Sequence, residues 1–395
     1  MSEKHPRIYF FTPFCLLRNT TNRIFDMRMS HAFAEAGCRV TIVFPYSYLK
    51  ENLSKKNLHS YYGVENNFKL IMLPTPLHEK LPAVFAFLII QLAFFLFTLR
   101  IILSNFGGLN NVVILSREIS PVLPAMLIKK IFGKLFPVRI IPQLHELKNE
   151  PLKKFGYKNA SGLMVNVPRA KEIIIQELKI KPEKILVMNA PVVDFSKTDY
   201  SKQEARKKIG YSRNNPLVVY SGKIAKSSRE LIYILDAAAI LPQYIFMMTG
   251  GKEKNIMILK DYCLQKKIEN VEFTGFLENI FDVRLYQLAA DVLVSYYTSK
   301  DHPVEFNYPQ KLQEYLSTGN PVVTPLHEAT CEVITEDLVF AVEPDNPAAL
   351  AAGIRLAAED KINAQSKSSA AFAISKKNTY EKKVFGFLQF LNTIR

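Results

Sequence analysis

VEFNYPQKLQEYLSTGNPVVTP, residues 304–325, describes one local event: a helix opened by Pro309, stopped at Gly319, and delivered at once into an apolar strand opened by Pro321. Proline is tolerated in the first helical turn because the N–H it lacks would be unpaired there anyway. Glycine accepts the left-handed backbone that ends a helix. A helix handing the chain to a Val-Val-Thr strand is the second half of a strand–helix–strand unit, so the flanking sequence should repeat the alternation. It does so in both directions. Downstream of the midpoint, short apolar runs stand at Leu217–Tyr220, Tyr244–Met248, Val271–Phe273, Val292–Ser295, Pro321–Thr324 and Val339–Val342. Helical patterns fall between them at Glu230–Leu241, Asn255–Lys266, Tyr308–Ser317 and Pro347–Glu359.

The first half has the same grammar. Its runs are Arg7–Phe11, Val40–Phe44, Lys69–Leu73, Val112–Leu115, Val138–Pro142 and Leu163–Asn166, with helical segments at Ile24–Ala36 and Arg169–Leu178. Periodicity is lost from Ala190 through Tyr200, and the last amphipathic pattern is Tyr380–Leu391. A chain of 395 residues with this layout predicts two α/β domains, 1–195 and 196–379, followed by a C-terminal helix over 380–395. The composition, 48% hydrophobic and 22% charged, excludes disordered and collagen-like classes. Cys15, Cys38, Cys263 and Cys331 are far apart with no Cys-x-x-Cys, which argues against a zinc site or disulfide framework. The N-terminus turns polar too early for a secretion signal, so a cytoplasmic protein is expected.

Charge divides unevenly. The formal net charge is +15, but residues 1–195 hold 26 Lys/Arg against 13 Asp/Glu, and residues 196–395 hold 25 against 23. The first half should attract anions through its field. Nucleic acid is not expected as the partner. The basic residues come in scattered pairs such as Lys55-Lys56, Lys129-Lys130 and Lys153-Lys154, with no interleaved aromatics and no reading module.

Several positions could carry chemistry. Glu314 lies within the helix of the opening segment, where a carboxylate can accept hydrogen bonds from two ribose hydroxyls or simply face solvent. Ser221-Gly222-Lys223 follows the first strand of the second half, and Arg229 stands six residues after Lys223. Two cations across a tight turn can clamp a diphosphate, or be ordinary solvated charges. Thr249-Gly250-Gly251 is either a phosphate nest or a turn. In the first half, Gln143-Leu144-His145-Glu146 ends a strand, and its histidine either meets a ligand or caps the next helix. The Arg117-Glu118 pair follows Leu115 and is a candidate for acceptor binding.

Glu314 with Gly319-Asn320-Pro321-Val322-Val323, preceded by Pro309-x-Lys311-Leu312, resembles the signature of family 4 glycosyltransferases. The paired cations Lys223 and Arg229, the segment Phe273-Thr274-Gly275-Phe276-Leu277, Asp194-Phe195 and His145 match further family positions. The family's first signature glutamate falls on Phe306 here, and the nearest carboxylate is Glu305. The resemblance implies the GT-B fold: two Rossmann-like domains facing each other across a cleft, with the C-terminal helix returning to the first domain. It implies a retaining, metal-independent enzyme using no cofactor beyond its donor, a nucleoside-diphosphate sugar, with a UDP-sugar favoured over a GDP-sugar. Gly222, Lys223, Arg229, Gly250, Phe276, Leu277, Glu305, Lys311, Leu312 and Glu314 would bind the donor. His145, Lys223 and Arg229 would act in catalysis, and Arg117 and Glu118 would bind a glycan or lipid-linked acceptor. Two other readings are a GT-B sugar-nucleotide epimerase and a non-catalytic nucleotide-sugar-binding partner in envelope polysaccharide assembly.

One stretch belongs to no family motif. LPAVFAFLIIQLAFFLFTL, residues 81–99, carries no formal charge and is long enough to cross a bilayer. The strands on either side should share one sheet, which argues against a crossing. Phenylalanines on all sides exceed what a sheet face can cover, so residues 81–103 are expected to lie on or dip into an anionic membrane surface rather than to form a core helix. Peripheral attachment to the inner face of the cell membrane follows as the expected location.

Overall fold

The computed structural model describes residues 5–16, 21–46, 58–75, 80–105, 108–147, 150–195, 200–225, 230–277, 279–298, 306 and 309–394. Two compact units result: residues 1–188 together with 380–395, and residues 189–379. The C-terminal helix Tyr380–Thr393 therefore belongs to unit 1, and the division falls earlier than residue 195. Redrawn on these units, the charge asymmetry grows. Unit 1 has 29 Lys/Arg against 13 Asp/Glu (+16), and unit 2 has 22 against 23 (−1).

Unit 1 holds seven strands: β1 (Arg7–Phe11), β2 (Arg39–Tyr46), β3 (Lys69–Pro74), β4 (Val112–Ser116), β5 (Arg139–Leu144), β6 (Leu163–Val165) and β7 (Ile185–Val187). They pair in parallel in the order β3-β2-β1-β4-β5-β6-β7. Unit 2 holds β8 (Leu217–Ser221), β9 (Ile245–Thr249), β10 (Val271–Gly275), β11 (Val292–Val294), β12 (Val322–Pro325) and β13 (Phe340–Val342), parallel in the order β10-β9-β8-β11-β12-β13. Every residue of β4 and β8 is buried, as expected for central strands covered by helices on both faces. In each sheet the strand order reverses once, between β1 and β4 and between β8 and β11. A ligand crevice of a doubly wound sheet opens at the carboxyl ends of the strands flanking such a reversal.

Some elements were not visible to the pattern reading. The three-residue β7 is too short for an alternation. Helix Lys202–Lys208 lies just past the stretch read as a break because only Ala205 of its residues is buried, leaving no apolar period. Its start is instead fixed by a capping box, in which Ser201 accepts from Glu204 N and Glu204 reaches back to Ser201 N. Helix Lys361–Ser375 buries mainly Ala364, Ser368, Ala371 and Ser375, small residues that register weakly as apolar.

The uncharged stretch forms helix Ala83–Ser104. It is not a core helix. Phe94, Phe97, Thr98 and Ile101 are buried, with Phe94 5.0 Å and Phe97 6.0 Å from the Phe11 ring. Val84, Phe85, Leu88, Leu92 and Leu96 stand exposed, Val84 to 68%. Helix Leu123–Phe132 packs beside it and exposes Leu127, Ile131 and Phe132, so the apolar surface spans two helices.

Candidate functional site

In unit 2 the site is assembled where β8, β9 and β10 end. Gly222 N donates to Thr249 O at 2.9 Å, and Gly250 N donates to Gly275 O at 2.9 Å, so the three strand ends are tied in a row. Gly250 has φ +122°, and a Cβ built there would lie 2.1 Å from Gly222 O. This close approach explains the glycine without a ligand. Asn255 Nδ2 donates to Ile224 O at 2.9 Å and fixes the far side of the Gly222 turn. Lys223 projects from this turn and is exposed.

Helix Gln310–Leu316 comes from the opening segment of the sequence and meets this turn through its own side chains. The Tyr315 hydroxyl accepts from Ser221 N at 2.7 Å and donates to Ser221 O at 3.1 Å. Burial pushes that phenol well above its ordinary range, so it remains a donor. Lys311 Nζ lies 4.3 Å from the centroids of both the Tyr220 and Tyr297 rings. Burial lowers its ammonium to about 7, against the opposing pull of Glu230. Gln287 Nε2 donates to Ser221 Oγ at 3.0 Å and lies 3.5 Å from Glu314 Oε2. Arg284 donates to Glu314 O and Ser317 O at the helix end, where a cation is favoured.

The two constellations that sequence reading singled out separately, Ser221-Gly222-Lys223 and Lys311 through Glu314, are thus joined. The joints are Tyr315 and Gln287, which it gave no role. Tyr315 was readable as the neighbour of Glu314, but a polar residue reaching across a sheet end leaves no local pattern. Leu312 is fully buried and offers a ligand only its backbone. Phe276 is 53% exposed and Leu277 half-buried just beyond β10. Arg229 and Glu305 lie outside the described residues.

Unit 1 carries a second polar cluster at the carboxyl ends of β4, β5 and β6. Ser116 pairs with Pro142 and Leu144 pairs with Val165, so continuing the register sets Arg117 beside Gln143 and His145 beside Asn166. Arg117 Nε donates to Gln143 Oε1 at 3.2 Å, Gln143 Nε2 to Asn166 Oδ1 at 2.6 Å, and Asn166 Nδ2 lies 3.3 Å from His145 Nδ1. Burial, then the Arg117 charge, hold the imidazole down to about 3 despite the favourable Arg117 backbone, so the ring is neutral. Arg117 also stacks 4.3 Å over the Phe25 ring. Asp26, 1% exposed, is raised to about 7 by burial, with Arg117, Thr12 and Arg23 opposing. Glu118 N donates to Ser116 Oγ at 3.1 Å.

Comparison with known proteins agrees with this layout. Residues 215–360, about three quarters of unit 2, match the family model described as glycosyl transferases group 1. No curated protein sequence matches the chain. Among solved structures, Anabaena HepE in complex with UDP is 15% identical and aligns over 98% of this chain and 100% of its own, with a TM-score of 0.72. A glycosyltransferase from Rickettsia africae is 16% identical over 98% of both chains at 0.73. The sucrose-phosphate synthase of Thermosynechococcus elongatus is 16% identical over 97% and 98% at 0.76. Residues 215–360 are therefore similar to the glycosyl transferases of group 1, and the chain as a whole shares the GT-B fold of these solved structures.

Proposed function

We propose that this protein transfers a sugar, with retention, from a nucleoside-diphosphate sugar to a glycan or lipid-linked acceptor in cell-surface polysaccharide or glycolipid synthesis. The observation that carries the donor assignment is the Tyr315–Ser221 joint, which sets the Lys223 turn against the Glu314 helix at a topological switch point. Lys223, with Arg229, supplies positive charge for the diphosphate, and Glu314 accepts from the ribose hydroxyls. A UDP-sugar is favoured because Anabaena HepE, which shares the fold, has been seen with UDP and with UDP-glucose. Unit 1 takes the acceptor, with Arg117 and Glu118 as its contacts, and His145 is assigned to the transferred sugar.

In the front-side course of retention, the bond between the anomeric carbon and the β-phosphate oxygen breaks as the acceptor oxygen bonds to the same face. The acceptor proton passes to the departing phosphate oxygen, so no protein nucleophile is required. The cations stabilise the charge that develops on the leaving diphosphate. A thermal-shift panel of UDP-, GDP- and ADP-sugars tests the assignment. The wild type is expected to be stabilised by one nucleotide class, and the Lys223→Ala/Arg229→Ala double variant by none. A double variant that still responds and still transfers sugar would remove the donor site from this turn.

The same proposal places the protein at the inner face of the membrane. The apolar ridge of helices Ala83–Ser104 and Leu123–Phe132 sits on a unit of charge +16, which suits an anionic leaflet. Inserted leucines contribute about 1.5 kcal/mol or more each, and each basic residue near the surface about 1 kcal/mol. Leu88→Asp/Leu92→Asp/Leu96→Asp is expected to weaken cosedimentation with phosphatidylglycerol vesicles more than tenfold while the protein stays folded. Undiminished binding by that variant would place the attachment elsewhere.

A further inference from the structure

Helix Ala83–Ser104 runs antiparallel to β1, and three contacts fix its level along the strand. At the amino end of β1, Arg7 Nη1 donates to Asn105 Oδ1 at 2.5 Å, just past the last turn of the helix. Midway, the Phe97 ring lies 6.1 Å from the Tyr9 ring. At the carboxyl end, Phe94 lies 5.0 Å from Phe11, the last residue of β1. The strand therefore stops where Phe94 stands, and the eleven residues Ala83–Ala93 continue past it. At 1.5 Å per residue this overhang is about 16 Å long, and it holds no proline or glycine that would turn it back. It leaves the sheet at the carboxyl end, where Arg117 and Glu118 follow β4, the strand beside β1. The helix also packs against the turn Ser120–Val122, which begins two residues after Glu118.

The overhang has two apolar faces. On the outer one Val84, Leu88 and Leu92 lead into Leu96 at four-residue spacing, all exposed, and this is the face assigned above to the bilayer. The inner one continues the face that covers the sheet further along. Phe87 and Ile90 stand seven residues before Phe94 and Phe97, so they point the same way as those two buried rings. No residue of Ala83–Ala93 is buried, and Phe87 is 38% exposed. The inner face therefore has no sheet beneath it and looks out over the strand ends. No acidic residue occurs from 81 to 104, and the unit that carries the helix has a charge of +16.

We propose that the acceptor is lipid-linked, with its hydrocarbon chain along the Phe87–Ile90 face of the overhang and its sugar head group at Arg117 and Glu118. This rests on unit 1 taking the acceptor, and it selects the lipid-linked acceptor over the free glycan. The occupant follows from chemistry and place. An apolar face is covered by hydrocarbon, and a chain that carries its sugar through a phosphate also suits the basic unit around it. The outer face of the same helical turns meets the bilayer, so the chain need not leave the leaflet for its head group to reach the strand ends. A soluble glycan would leave the inner face bare.

The chain contains no tryptophan, so a single introduced one reports on its own surroundings. Phe87→Trp puts the reporter on the inner face and Leu88→Trp on the outer, with Ile90→Trp as a second inner reporter should Phe87→Trp disturb the helix. Each variant is titrated with maltose, octyl maltoside and dodecyl maltoside, below micelle formation and without vesicles. The inner reporter is expected to shift its emission to shorter wavelength, saturably, with both alkyl maltosides and not with maltose. The outer reporter is expected to stay unmoved until phosphatidylglycerol vesicles are added. Affinity should rise from octyl to dodecyl, by about fourfold for each methylene fully covered. Glu118→Ala in the Phe87→Trp background should weaken dodecyl maltoside about tenfold, the loss of one charge-assisted hydrogen bond. Inner reporters that ignore the alkyl maltosides, or an equal response on the two faces, overturn the chain site and leave the overhang as bilayer contact alone. A shift produced by raising the protein concentration alone overturns it in favour of a second copy of the chain. Full affinity in Glu118→Ala leaves the chain site standing and overturns the placement of the head group, and with it the acceptor role of Glu118.

Discussion

Glu314→Ala is expected to lower kcat/KM for the nucleotide sugar about a hundredfold, mainly by raising KM. Two ribose hydroxyls donating to one carboxylate make charge-assisted hydrogen bonds, each contributing about 1.5–3 kcal/mol. Losing the pair removes about 3 kcal/mol, roughly two powers of ten. The effect belongs to the side chain alone, because the helix that carries it is held by other groups. Lys311 is seated between two tyrosine rings, Tyr315 bonds both polar atoms of the Ser221 backbone, and Arg284 takes the carbonyls at the helix end. Truncation at 314 leaves all of these in place. Glu314→Gln retains one carbonyl acceptor and should lose about tenfold. Calorimetric titration with UDP separates binding from turnover. An Ala variant with wild-type affinity and a wild-type melting temperature would mean that Glu314 faces something other than ribose.

The fold was legible because its deciding signals are local. Pro309, Gly319 and Pro321 punctuate a helix and a strand without reference to the rest of the chain, and strands as apolar as Leu217–Tyr220 can only be central. What escaped was either short, as β7, or polar, as the helix capped by Ser201 and Glu204. The site divided in the same way. Glu314 and Lys223 stood out because each sits beside a structural punctuation mark. Gln287, Tyr315, Gln143 and Asn166 did not, because their importance lies in what they bond across strand ends, and strand order is not written in any one segment. His145 shows the consequence. Its sequence position leaves both protonation states open, whereas burial and the Arg117 guanidinium leave only the neutral ring.

The opposite charges of the two units follow from the same division of labour. Unit 1 has a net charge of +16 and also carries the apolar two-helix ridge, a combination that, on the proposed function, suits a flat, anionic partner. Unit 2, at −1, has no such net charge, so on the proposed function its donor would be met by the individual cations Lys223 and Arg229. Raising salt should therefore weaken membrane attachment far more than donor binding, since exposed long-range charge is screened and a close pair much less so.

Gly250→Ala is expected to destabilise unit 2 by about 3 kcal/mol or more, a much larger change than the equivalent substitution at Gly275. Both glycines end adjacent strands and both have positive φ, +122° at Gly250 and +79° at Gly275. They differ in what a side chain would meet. At Gly275 a Cβ has nothing within 4 Å, so only the left-handed penalty of about 1–2 kcal/mol applies. At Gly250 it would lie 2.1 Å from Gly222 O, a backbone atom held in place by the Gly222 N to Thr249 O hydrogen bond. Relief requires moving the turn that carries Lys223, which means breaking that bond or the Ser221–Tyr315 joint beside it. Loss of stability and loss of donor affinity should therefore arrive together in Gly250→Ala and separately in Gly275→Ala. Urea unfolding of each variant, followed with and without UDP, makes the comparison. Equal losses at the two positions would show that the strand ends do not approach as closely as the Gly222–Gly250 contact requires, and the donor turn would have to be supported from its other side.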